Sequence, residues 1–91
     1  MITIDEIKKI NSPETRAKIE KKIAAGYIGV KIGKYQFWYE RSGRKHFKYT
    51  MDIVHEKSGY IITAVDFDYN ECWAKLIGKL YMDAMSAEQV A

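Results

Sequence analysis

Ninety-one residues, 47% apolar and 30% charged, describe one folded domain spanning 1–91 and exclude a disordered chain. A lone cysteine, Cys72, excludes an intramolecular disulfide and a cysteine-built zinc site, and suits a reducing, cytoplasmic setting. The opening M-I-T-I-D-E-I-K-K-I lacks the uninterrupted apolar core of a signal peptide, and no apolar run approaches the ~20 residues of a membrane span.

The net charge of +3 is unevenly spread. Residues 27–59 carry Lys31, Lys34, Arg41, Arg44, Lys45, Lys48 and Lys57 against Glu40, Asp52 and Glu56; residues 60–91 carry only Lys75 and Lys79 against five acids. Such polarity suits an anionic partner.

Thr3 followed by Glu6 predicts a capping box, with Ile4, Ile7 and Ile10 on one face of a short helix. Ser12 then suits an N-cap and Pro13 the first helical position, which predicts a second helix over 13–25 with Ile19 and Ile23 buried and Gly26 beyond its end.

From Tyr27 the period changes to two. Ile28, Val30 and Ile32 alternate with Gly29 and Lys31, and Gly33-Lys34 predicts a glycine-first hairpin turn. That turn pairs Ile32 with Tyr35, Val30 with Phe37 and Ile28 with Tyr39, and sets Gly29 under the Trp38 indole on the other face. A three-residue loop at Ser42-Gly43-Arg44 would pair Tyr39 with Phe47, Phe37 with Tyr49 and Tyr35 with Met51. A second such loop, Lys57-Ser58-Gly59, would place Ile61, Val65 and Phe67 on the same core face. Slipping any of these pairings by one residue would exchange the faces.

Asp68 with Glu71 predicts a capped start for a closing helix running to about Ser86, with residues 87–91 frayed. Cys72, Trp73, Leu76, Ile77, Leu80, Tyr81 and Ala84 form its buried stripe. Gly78 inside it predicts close packing, since glycine there costs about 1 kcal/mol against alanine. The expected architecture is α+β and two-layered: an N-terminal helix or two short ones, a four-stranded antiparallel meander, and a C-terminal helix packed on the sheet.

The uncovered face would then present Lys31, Gln36, Trp38, Glu40, His46, Lys48, Thr50, Asp52, Val54, Ile62, Ala64 and Asp66. In this register Trp38 neighbours Lys48 and His46, a base-stacking residue among cations. Trp38 is equally suited to anchor a protein interface. Arg41, Arg44 and Lys45 crowd the central hairpin tip, where they could follow a phosphate backbone. Val54 and Ile62 would also allow a homodimer through the sheet face.

Other chemistry fits poorly. D-F-D-Y-N-E over 66–71 resembles the opening of a calcium loop, but Glu71 stands where glycine is needed and Ile77 where the bidentate acid is needed. His46 and His55 lack partners at ligand spacing, and Cys72 falls on a buried stripe. The glycines at 26, 29 and 33 with Lys34 miss the P-loop spacing. Neither a metal nor a cofactor is called for, and no Ser/His/Asp constellation suggests an enzyme.

The order helix, antiparallel sheet, helix resembles that of double-stranded RNA-binding domains. N-E-C-W-A-K over 70–75 replaces the lysine-rich opening of their second helix, so no family follows. The expected function is a non-enzymatic binding module using Lys31, Trp38, Arg41, Arg44, Lys45, His46 and Lys48 on nucleic acid or a nucleic-acid-handling protein. The alternative is a small inhibitor, of the kind phages and mobile elements encode, that binds a host defence protein or nucleoprotein by protein–protein contacts.

Overall fold

The computed structural model of the chain describes residues 2–41 and 48–90, with side chains through Ser86. The elements run α1 (Ile4–Ile10), α2 (Pro13–Ala24), β1 (Gly29–Ile32), β2 (Tyr35–Arg41), β3 (Tyr49–His55), β4 (Ile61–Asp66) and α3 (Tyr69–Val90). The strands form one antiparallel sheet in chain order, so the α+β meander expected from the sequence is the fold.

Local chemistry sets both short helices. The Thr3 N–H donates to Glu6 Oε1 at 3.0 Å and the Glu6 N–H to Thr3 Oγ1 at 3.2 Å. Ser12 Oγ accepts from the Thr15 N–H at 3.2 Å, with Pro13 at the first helical position. At the end of α2 the Tyr27 N–H reaches Lys22 O and the Gly26 N–H reaches Ile23 O. This is a Schellman stop, and Gly26 takes its left-handed position at φ +95°.

The first hairpin has the expected register, Ile32 opposite Tyr35 and Gly29 opposite Trp38. Ile28, however, lies before β1 and is 64% exposed. Its carbonyl accepts from the Tyr39 N–H at 2.8 Å, but α2 has already ended, so no helix covers its side chain.

The second hairpin differs from expectation by four residues. Tyr35 pairs with His55, Phe37 with Ile53, Tyr39 with Met51 and Arg41 with Tyr49. The connection between β2 and β3 is thus longer than three residues. An even shift keeps every side chain on its face, and this one sets Ile53 and Met51 beside Phe37 and Tyr39.

The third hairpin differs by one, so β4 is inverted. Ile62 and Ala64 face the core opposite Ile53 and Met51. Ile61 and Val65, expected inside, are 54% and 41% exposed, as is Phe67 at 58% just past the strand. The turn explains the slip. His55 and Tyr60 are bonded across four residues, the His55 N–H donating to Tyr60 O at 2.8 Å, and Gly59 adopts φ +74°. Within the turn, His55 Nδ1 accepts the Ser58 N–H at 3.1 Å, an extra bond that the longer loop makes possible.

α3 lies across β3 and β4, α2 meets β1, and α1 packs against α3. Ala64 is small enough to admit α3 closely, and Cys72 Sγ reaches Ala64 O at 3.4 Å. Phe37, Met51, Ile53, Leu76 and Leu80 are fully buried between the layers. Trp73 packs 5.8 Å from Phe37 and donates its indole N–H to Asn11 Oδ1 at 2.7 Å, tying α3 to the α1–α2 turn. Gly78 departs from expectation: a methyl group there would meet nothing within 4 Å, because that side of α3 faces outward.

Candidate functional site

The helices leave one sheet face bare. Gly29, Trp38, Asp52 and Thr63 form a row across the four strands; Lys31, Gln36, Val54 and Ile61 form the next; Glu40, Thr50 and Val65 form a third. Trp38 is 42% exposed. Its ring covers Gly29 so closely that an added Cβ would lie 2.8 Å from Trp38 Cζ3. One side of the indole therefore shields backbone while the rest stays available for contact.

The β2–β3 register decides the electrostatics here. Trp38 stands opposite Asp52, and Glu40 opposite Thr50. Lys48 precedes β3 and stands four residues before Asp52, about 14 Å away at ~3.4 Å per residue, so it is not the neighbour of Trp38 expected from the sequence.

The other candidate cations are likewise dispersed. The Lys31 ammonium is 3.8 Å from the Glu56 carboxylate. At the opposite end of the sheet, Arg41 and Lys48 converge on the Tyr49 ring, 5.9 Å and 5.7 Å from its centroid. Arg44, Lys45 and His46 lie outside the described residues. The described part of the proposed basic site is therefore split, with Lys31 at one end of the sheet and Arg41 and Lys48 at the other.

A groove of about 630 Å³ opens beside Trp38, where the chain leaves α2 and joins β1. Tyr27, Ile28, Trp38, Glu40, Thr50 and Asp52 are among its lining residues. Tyr27 is 55% exposed, and the Lys22 ammonium lies 4.8 Å over its ring.

The acidic run at 66–71 is engaged in structure. Asp66 Oδ1 accepts the Phe67 and Asp68 N–H groups at 2.6 and 3.2 Å, and Oδ2 takes the Lys75 ammonium at 2.6 Å. The Lys75 hydrogen bond, with these backbone donors, holds the Asp66 carboxyl below its usual range. Asp68 Oδ2 accepts the Glu71 N–H at 3.0 Å, capping α3. The Asp68 N–H, which a full capping box would pair with the Glu71 side chain, goes to Asp66 instead. Among the described residues no group of three or more His, Cys, Asp or Glu is placed to hold a metal ion. Cys72 is buried, and that burial pushes its thiol pKa up, away from the reactive thiolate.

Ile28, Ile61, Val65 and Phe67, expected in the core, lie at the surface, and Asp52 was not singled out beside Trp38. The alternation in β4 shows two apolar sets, Ile61/Val65 and Ile62/Ala64, and nothing local ranks them. No family model matches the chain, nor does any curated protein or solved structure. No described helix is long and apolar enough to cross a membrane.

Proposed function

We propose that this protein is a non-enzymatic binding module, of the inhibitor or adaptor kind, that docks on another protein through the open face of its sheet. One observation carries the reading: Trp38, Ile61 and Val65, all exposed, share the face that no helix covers. Single exposed apolar residues are ordinary, whereas several on one bare sheet face mark an interaction surface. Tryptophan is the side chain most suited to anchor it. Asp52 and Glu40 beside Trp38 disfavour a phosphate backbone there and favour a protein.

Nucleic acid is the second reading, favoured by the convergence of Arg41 and Lys48 on Tyr49 where the central hairpin approaches its tip. Retention from lysate of the source cell separates the two. Wild type and an Arg41→Ala/Lys48→Ala variant should both hold one stoichiometric protein, and Ile61→Glu/Val65→Glu should lose it. A low-salt gel shift with DNA or RNA that requires Arg41 and Lys48, with retention indifferent to Ile61 and Val65, would overturn the protein reading.

A further inference from the structure

We infer that the groove beside Trp38 receives an arginine side chain of the partner protein, its guanidinium stacked on the indole and paired with Asp52. This rests on the protein-docking reading and names the contact at its centre.

Asp52 supplies the first reason. It lines the groove, yet its Oδ1 is buried and accepts no hydrogen bond from the described residues. A buried carboxylate oxygen without a donor is costly, and such groups are uncommon in folded proteins. A donor entering the groove would relieve that cost, and a small turn of the carboxylate about its Cβ–Cγ bond would bring the covered oxygen round to it.

The second reason is the company Asp52 keeps. Trp38 stands directly across the strand pair, where facing Cβ atoms are roughly 5 Å apart. An aromatic face beside a carboxylate suits a cation that is also flat. Glu40 and Thr50, two residues along from Trp38 and Asp52 on the same face, add further acceptors.

Third, the rim already behaves this way within the chain, since Lys22 places its ammonium over Tyr27. Arg41 also lines the groove, but its guanidinium lies over Tyr49. Arginine fits better than lysine because its planar fork can stack and donate two parallel bonds at once.

The test uses the intact chain and reads the two indole N–H resonances during titration with Nα-acetyl-arginine amide or its neutral citrulline counterpart. The Trp38 signal should shift saturably with the arginine compound only. The Trp73 signal, buried and bonded to Asn11, should stay still. Asp52→Asn should weaken the response roughly tenfold, the loss expected for one charge-assisted contact. An equal response to citrulline overturns the inference on wild-type protein alone, as does a response that Asp52→Asn leaves unchanged. Lysate retention separates this failure from the broader one. Retention that survives Asp52→Asn and fails in Ile61→Glu/Val65→Glu keeps the docking face and rejects the arginine contact. Retention indifferent to both variants rejects the docking reading itself.

Discussion

The two faces of the sheet use the same strands and similar residues for different ends. On the covered face Phe37 faces Ile53 and Tyr39 faces Met51, apolar against apolar, under α3. On the open face the neighbouring residue Trp38 faces Asp52, and Ile61 and Val65 stand beside Val54 and Thr50. The covered face excludes water and supplies stability. The open face keeps large apolar groups in solvent beside carboxylates, an arrangement that adds little to folding and suits recognition. Hydrophobicity alone therefore does not sort these residues; which side of the pleat they occupy does.

The largest effect that can break this comparison is at Phe37. Phe37→Ala should destabilise the fold by about 3–5 kcal/mol, as expected for a large side chain removed from a packed core. Trp38→Ala, one residue on, should cost about 1 kcal/mol or less. Denaturant unfolding measures both, and the reverse order would mean that the faces are exchanged.

The β4 inversion has its own pair. Ala64→Glu forces a carboxylate beneath α3 and should cost about 3 kcal/mol or more, whereas Val65→Glu should stay within about 0.5 kcal/mol. Equal costs would contradict the four-residue turn at 56–59.

A pH scan sharpens the covered face. Burial, with the charge of Glu6 and its hydrogen bond, raises the Tyr35 phenol from 10.0 to about 12. A folded pKa above the unfolded one means the phenol form is favoured in the native state. Its contribution should be fully present below pH 10 and disappear as pH rises through 12. Tyr35→Phe should remove that part of the alkaline loss, and an unchanged alkaline limb would place Tyr35 in a more solvated setting.

The smallest effect is a gain. Nothing lies within 4 Å of a methyl group added at Gly78, so Gly78→Ala should stabilise by roughly 0.5–1 kcal/mol through helix propensity. A loss would instead reveal a surface that approaches α3 there.

Much of the candidate surface was legible at the level of single turns. Gly33-Lys34 placed Trp38 over Gly29 because a two-residue turn leaves no freedom in register. The β2–β3 connection leaves such freedom, and every even shift satisfies the alternation equally. That is why Lys48 was expected beside Trp38 where Asp52 stands. With that change a basic-aromatic site became an acidic-aromatic one.

By itself the sequence determined the elements and their ends: the Thr3–Glu6 capping box, Ser12-Pro13 opening α2, Gly26 closing it, and the buried stripe of α3 from Cys72 to Ala84. These follow from bonds and periods within a few residues. Only the tertiary structure decided which set in β4 turns inward and which residue faces Trp38. Both depend on connections whose lengths local chemistry leaves open, and on the fit of Ala64 beneath α3. The fold was therefore readable from short-range rules, while the character of the open face rested on two registers that only the packed molecule selects.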